Sequence, residues 1–322
     1  MGEAGPLMGV FLTEVGKRLA EKWLTLLVLP GLLYVGTLIA ARTAGWTHAL
    51  DAQRLISEID NWAAKDHPRP QSLLILIAVV AVLGSAGASI GAQSIGDLAA
   101  RAWLAEHWEE WPPPLRALAR RHTGSRQRAW RTASEAYRRA LEPMGRATAL
   151  AEAGRGPGPS REQHEHLRTA DRALAAIARE LPERPTWMGD RIAGMSAVLR
   201  RRYAIDLPTV WPCLWLTLPE STRLEITSTR DAFQRASALA GWSVLYLLPG
   251  ALWWPGLPIS IVLGAASVRR ARAAVDGYTR FVTAAVELHT PELVRTLGIG
   301  TSAVLDSETG WALTRRLQGR GP

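Results

Sequence analysis

Residues 72–96 read SLLILIAVVAVLGSAGASIGAQSIG, and this run decides the fold because none of its 25 side chains is charged. Residues 23–41 and 236–268 are uncharged in the same way. A helix needs about 20 mainly apolar residues to cross a hydrocarbon core of about 30 Å. The rest of the chain is dense in arginine and glutamate, so the sequence predicts an integral membrane protein.

The third uncharged stretch is too long for a single crossing. As one helix its 33 residues would span about 50 Å. Pro249-Gly250 and the sequence PGLP at 255–258 interrupt it, and proline cannot continue the hydrogen bonding of a helix. We therefore expect a hairpin with arms at 236–254 and 257–273, and a re-entrant hairpin that does not cross fully is the alternative.

No strand alternation of useful length occurs outside these stretches, so the predicted fold class is all-α, with four helices crossing or entering the bilayer. The expected order is an N-terminal amphipathic helix at 1–22, a first span at 23–41, an external loop at 42–71, a second span at 72–96, a helical cytoplasmic domain at 97–235, the hairpin at 236–273 and cytoplasmic C-terminal helices at 274–322. The amphipathic segment is expected either in the membrane interface or packed on the cytoplasmic domain.

Charge bias predicts the orientation, because cytoplasmic loops carry an excess of lysine and arginine. Residues 97–235 contain 23 arginines and 17 acidic residues, whereas residues 42–71 contain four basic and four acidic residues. Both termini are therefore expected in the cytoplasm. Of the 38 basic residues, 35 are arginine, which is typical of a bacterial genome of high G+C content, so we expect a bacterial inner membrane.

Residues at the ends of the hairpin are candidates for contact with lipid. Trp253 and Trp254 are expected in the outer interface, where amphipathic rings prefer to lie. Arg269, Arg270 and Arg272 follow the second arm, and their long side chains can reach anionic head groups at the inner surface. These five residues form the predicted lipid-contact set.

The second span carries a stripe of small residues, which in lipid lets two helix backbones approach closely. The predicted packing or oligomer face consists of Gly84, Gly87, Ala88, Gly91, Ala92 and Gly96. The partner of this face can be the first span of the same chain or a neighbouring protomer. A homo-oligomer is accordingly one of the expected partners.

Within the cytoplasmic part, proline and glycine mark the expected helix ends. We predict that the second span continues to Trp111, and that residues 115–153 form a helix interrupted near Gly124 and Pro143. Ser160 and Gln163 form a capping box that opens a helix to Leu181. Residues 206–220 (DLPTVWPCLWLTLPE) are uncharged between Leu207 and Pro219, and they are expected either in the core or against the inner leaflet.

Motifs that carry chemistry are missing from the sequence. It contains no P-loop, dinucleotide-binding glycine motif, zincin motif or nucleophile elbow. Glu106, His107 and Glu110 have a better ligand spacing than His164 and His166, yet solvated helix charges explain both sets more simply. We therefore expect no catalytic residue, no cofactor and no metal ligand.

Other features narrow the class of function. No ionisable side chain lies inside a predicted span, which disfavours a proton- or ion-coupled transporter. The only cysteine, Cys213, excludes an intrachain disulfide and is expected as a small core residue. Arginine clusters such as Arg200-Arg201-Arg202 are interleaved with acids, so lipid or solvent is a more natural neighbour for them than nucleic acid.

Four sequence features carry a resemblance. PTWMGDR at 185–191, DLPTVWPCLWLTLPE at 206–220, the hairpin broken by tryptophan and proline, and VELH at 286–289 resemble a group of multi-pass membrane proteins of actinobacteria. The resemblance covers about residues 180–298. It implies a shared membrane architecture and assigns no functional residue.

The leading functional expectation is a non-enzymatic inner-membrane protein whose helical cytoplasmic domain senses or docks a soluble partner. The alternative is an oligomeric channel or membrane-disrupting effector assembled through the small-residue face of the second span. A membrane-embedded enzyme is the third expectation.

Overall fold

The computed structural model describes residues 29–46, 49, 57, 71–300 and 304–319. Within these ranges the regular structure is helical and contains no strand, which confirms the all-α prediction. The helices are α1 (Leu29–Ala44), α2 (Gln71–Leu104), α3 (Pro113–Glu152), α4 (Arg161–Ile177), α5 (Trp187–Tyr203), α6 (Leu207–Thr217), α7 (Glu220–Leu245), α8 (Leu247–Leu252), α9 (Gly256–Thr296) and α10 (Ser307–Leu317). The amphipathic helix expected at 1–22, the start of the first span and most of the external loop lie outside the described residues.

Among the described helices, one is long and apolar enough to cross a membrane. It is the part of α2 from Ile75 to Leu104. The next apolar helix, α1, has only 16 described residues. Of the four helices expected in the membrane, one is therefore a clear candidate span among the described residues.

The chain divides into two compact units. Unit 1 comprises residues 1–100 and 234–271, and unit 2 comprises residues 101–233 and 272–322.

Glycines allow the helices of unit 1 to meet at backbone contact. A Cβ atom at Gly31 of α1 would lie 2.1 Å from the carbonyl oxygen of Ser85 in α2. One at Gly241 of α7 would lie 1.8 Å from the carbonyl oxygen of Ala92. Real Cβ contacts are never this short, so α1 and α7 pack directly on the backbone of α2.

The chain reverses between α7 and α9, where the proline and glycine residues of the third stretch lie. Ser243 and Ser260 fasten the two helices, because each hydroxyl donates to the carbonyl oxygen of the other residue, at 2.9 and 2.7 Å. The backbones of Gly250 and Gly256 touch at the turn, where a Cβ on Gly256 would lie 2.6 Å from the Gly250 nitrogen. The aromatic ring of Tyr34 packs edge-on against Tyr246 nearby, with ring centroids 5.5 Å apart.

Unit 2 has its core where α5, α6, α7, α9 and α10 meet. Its largest fully buried side chains include Leu199, Ile205, Leu214, Leu218, Val282, Val286 and Leu313. The proline-rich segment 206–220 forms α6 and supplies Val210 and Leu214 to this core, both fully buried. The core alternative for that segment is therefore the one observed, although Leu216 on its opposite side is 77% exposed.

Three helix ends or interruptions differ from the sequence predictions. α2 ends at Leu104 instead of Trp111, because Ala105 and His107 adopt left-handed backbone angles and side chains of residues 184 and 186 bind the last carbonyl groups of the helix. α3 runs unbroken past Gly124 and Pro143, since packing on the rest of unit 2 outweighs local propensity. α4 ends at Ile177 instead of Leu181.

Candidate functional site

A groove of about 430 Å³ runs along the surface of unit 2. Residues of α5 and α9 form its floor and one side. The other side is the segment 178–186, which we call the strap, together with Ala175 of α4. A recess of this volume lies within the range of known binding sites.

Helices α5 and α9 run parallel, and specific pairs set their register. The Arg272 guanidinium lies over the Trp187 ring, 5.5 Å from its centroid. Arg191 Nε is 2.7 Å from Asp276 Oδ1. At the other end the Tyr203 hydroxyl donates to Glu287 Oε1 at 2.9 Å. The offset between partners is 84 or 85 residues at all three points, so the two helices keep one register along the groove.

The floor of the groove is lined by small side chains. Ala193, Gly194 and Ala197 come from α5, and Ala284 comes from α9. A Cβ added to Gly194 would meet no heavy atom within 4 Å among the described residues. The space above the middle of α5 is therefore open, because these positions carry almost no side chain.

Hydrogen bonds from α3 hold the strap in place. Arg126 donates to the carbonyl oxygens of Ile177 at 2.8 Å and Arg184 at 2.7 Å, and it forms an ion pair with Asp190. Gln127 donates to the Pro182 carbonyl oxygen at 2.9 Å, and Trp130 Nε1 donates to that of Ala178 at 3.1 Å. The strap has no regular secondary structure of its own, so these bonds account for its fixed path.

The motif PTWMGD supplies the junction between the strap and α5. Thr186 is the N-cap of α5, and its hydroxyl accepts a hydrogen bond from the Gly189 N–H at 3.0 Å. Asp190 Oδ1 accepts the backbone N–H groups of Glu183 at 3.0 Å and Arg184 at 2.7 Å. Nothing in the sequence indicated that Asp190 would pair with Arg126 across 64 positions.

Most charged side chains of the groove form ion pairs within unit 2, although the arginines of three pairs are exposed. The ion pairs are Glu180 with Arg201, Asp190 with Arg126, Arg191 and Arg280 with Asp276, and Glu287 with Arg202. Arg179 and Glu183 lie on the strap, are exposed, and make no ion pair within the described part of the chain. These two charges of the groove therefore have no opposite charge beside them among the described residues.

Burial affects two tyrosines close to the groove. The pKa of Tyr203 is raised, first by burial and then by its hydrogen bond to the Glu287 carboxylate. Burial also raises the pKa of Tyr278, and the nearby Arg230 partly offsets this rise. Both phenols stay neutral at physiological pH, so Tyr203 remains a hydrogen-bond donor to Glu287.

The predicted small-residue face of the second span divides into two parts in unit 1. Gly96 and Ala92 are buried, and a Cβ on Gly96 would lie 2.6 Å from the carbonyl oxygen of Ser237 in α7. Gly84 faces Val35 of α1, since a Cβ there would lie 3.8 Å from Val35 Cγ2. By contrast, Gly87 and Gly91 face no heavy atom of the described chain within 4 Å of such a Cβ. Ala88, between them, is half-buried.

The predicted lipid-contact residues lie at both ends of the hairpin. Trp253 is half-buried and donates through Nε1 to the Ala49 carbonyl oxygen at 2.8 Å, whereas Trp254 is 41% exposed. Arg269 and Arg270 are exposed. Arg272 belongs to the groove register through its contact with Trp187, which the sequence did not indicate.

The weak metal-ligand candidates do not come together. Because α2 ends at Leu104, Glu106, His107 and Glu110 do not share a face of one helix. Searching the described residues finds no group of three or more His, Cys, Asp and Glu side chains able to hold a metal ion. Comparison with protein-family models, with curated proteins and with solved structures gives no match.

Proposed function

We propose that this chain is a non-enzymatic protein of a bacterial inner membrane, and that its helical cytoplasmic domain docks or senses a soluble partner. Residues 97–235 and 274–322 would form that domain, with both termini inside. The groove of unit 2 is the observation that carries the docking role. Its floor is open and apolar, and its two unpaired charged residues, Arg179 and Glu183, are exposed.

The surface of unit 1 supports the membrane part of this proposal. Only 17% of the most apolar window of α2 is buried. Side chains such as Ile75, Val80 and Leu83 are 60–66% exposed. An apolar helix in the core of a soluble protein would be mostly buried, and a signal sequence would lie near the N-terminus, so an exposed internal helix of this kind is better suited to lipid.

The other expected membrane segments have similar surfaces. Leu33 of α1 is 68% exposed, and Ile261 and Val262 of α9 are 69% and 65% exposed. Lipid would cover these side chains as it covers α2. On this proposal α1 and the α7–α9 hairpin enter the bilayer beside α2, and Trp254 lies in the outer interface.

Thiol labelling in intact bacterial cells tests the proposal. In a Cys213→Ala background, cysteines placed at His48 or Asp60 should react with an impermeant reagent added outside. Cysteines at Gly156 or Glu308 should react only after the cells are opened. Gly310 is a poor site, because a Cβ there would lie 1.9 Å from the Tyr203 carbonyl oxygen. Labelling of position 156 from outside would place the groove away from cytoplasmic partners and contradict the proposal.

A second candidate function is an oligomeric channel or membrane-disrupting effector. The open space beside Gly87 and Gly91 favours it, since the backbone of α2 is accessible there to another helix. On this view protomers meet along that part of the second span.

A further inference from the structure

We infer that the groove between α5 and α9 binds one amphipathic α-helix of a soluble partner protein, with an acidic residue of that helix facing Arg179 and a basic one facing Glu183. This inference rests on the proposed docking function and adds the chemistry of the partner.

The shape of the groove fits a helix. Its floor follows two parallel helices in fixed register, from the Arg191–Asp276 pair to the Tyr203–Glu287 pair. From Asp276 to Glu287 the rise along α9 is about 16 Å, or three helical turns. A third helix can lie along such a seam and present residues at every third or fourth position to it.

The floor and edges fit an apolar stripe. Gly194, Ala197 and Ala284 leave space for side chains of leucine size at the centre. Leu181 and Val198 flank that space and are 43% and 40% exposed. A leucine stripe would bury these edges and fill the open volume above Gly194, which removes apolar surface from water on both partners.

The charges favour a protein helix over a small ligand. A small-molecule site places a few polar groups so that they converge on one point, but here most charged side chains already pair with each other. Arg179 and Glu183 remain unpaired, and since they lie four positions apart on an irregular segment, no more than about 14 Å separates their Cα atoms. Residues seven positions apart on a helix are about 10.5 Å apart, so one acid and one base at that spacing can meet both.

The two ends of the strap fix which charge lies where. Glu180, next to Arg179, pairs with Arg201 near the C-terminus of α5. Glu183 lies beside Asp190 near the N-terminus of α5. The acidic residue of the partner should therefore lie toward the C-terminal end of α5 and the basic one toward its N-terminal end.

A defined peptide tests this inference with the full-length protein in lipid nanodiscs. The probe is a fluorescent helical peptide of about 18 residues, with a leucine stripe and with one glutamate and one lysine seven positions apart on one flank. Anisotropy should show saturable binding to the native protein. Gly194→Leu should weaken this binding roughly tenfold or more, because the new side chain occupies the space of the stripe.

Gly145→Leu is the matched control, since Gly145 is also a mid-helix glycine with no described neighbour near its Cβ, and it lies on α3 away from the groove. This variant should bind as the native protein does. Both substitutions replace a helical glycine and should leave the fold intact, which circular dichroism checks.

A charge exchange tests the specificity. Arg179→Glu with Glu183→Arg should weaken binding of the first peptide about tenfold, and a peptide with its glutamate and lysine exchanged should regain it. No binding to the native protein, equal binding to Gly194→Leu, or indifference to the exchange would each overturn the inference. A smaller particle mass for Gly194→Leu alone would assign the groove to a second copy of this chain instead. These results do not depend on membrane orientation, so they fail or succeed separately from the thiol labelling.

Discussion

Asp306 controls the start of α10 through a single side chain. Its Oδ1 accepts the Thr309 backbone N–H at 2.8 Å, as an N-cap should. That bond, followed by the one from the Thr309 side chain, lowers the pKa of Asp306 below its ordinary value of 3.8. The charged carboxylate is thus the form that stabilises α10. Leu313 on this helix is fully buried in the core of unit 2, so the cap also supports that core.

The pH dependence of α10 should follow from this cap. Because the folded pKa is lowered, the stabilisation is complete above the unfolded pKa and is lost as the pH falls through the folded pKa. Amide exchange at residues 307–310, corrected for intrinsic rates, should therefore accelerate with acid in the native protein. Asp306→Asn should keep the cap and lose this acid response, whereas Asp306→Ala should exchange faster already at neutral pH. An unchanged acid response in the asparagine variant would contradict the assignment.

Local signals of this kind were readable in the sequence, and long-range ones were not. The capping box of Ser160 and Gln163 is confirmed, with both hydrogen bonds present. A cap involves residues three positions apart, so the spacing itself predicts it. The Arg126–Asp190 pair has no such spacing, and only the packing of α3 on the strap brings its members together.

At the scale of elements, the strap depends on α3. The side chains of Arg126 and Asp190 are 12% and 8% exposed. Removing the guanidinium would leave a buried carboxylate and two carbonyl groups without their donor. The strap would then be held to α3 by fewer hydrogen bonds, among them those of Gln127 and Trp130.

Arg126→Met should therefore destabilise unit 2 by about 3–5 kcal/mol, the usual cost of breaking a buried ion pair. Arg146→Met on the same helix is the control. Its pair with Glu142 is 81% and 69% exposed and 3.9 Å long, so its loss should cost less than about 1 kcal/mol. Denaturant unfolding of the full-length protein, followed by tryptophan fluorescence, compares the two. Similar shifts for both variants would show that Arg126 does not anchor the strap.

The groove itself could not be predicted from the sequence. Helices were expected in the cytoplasmic domain at 97–235 and beyond 257, but nothing in the sequence indicates that α5 and α9 run parallel with an offset of 84 or 85 residues. The sequence is rich in alanine and glycine, so small residues such as Gly194 and Ala197 do not stand out as candidates for a groove. They form a groove only because α9 and the strap also line the space beside them.

At the scale of the whole molecule, uncharged length was the most informative signal. The uncharged stretch 72–96 lies within α2, and the chain reverses between α7 and α9 inside the stretch 236–268. Apolar length does not specify what each face of a helix contacts. The same stripe of α2 therefore contains Gly96, packed on α7, and Gly87, with open space beside it.

This division lets one variant separate assembly from folding. Replacing Gly87 and Gly91 together by leucine adds bulk where the described chain leaves space, so each protomer should fold and insert normally. If protomers meet there, close helix approach is lost and lipid supplies no hydrophobic force to restore it. The particle mass in nanodiscs should then fall to that of a smaller species. Any bilayer conductance of the native protein should be lost as well. Gly36→Leu is the control, because Gly36 of α1 is exposed with no described neighbour near its Cβ, and it should keep the native mass. An unchanged mass in the double variant would remove the oligomeric channel as a candidate and leave docking by unit 2 as the function to pursue.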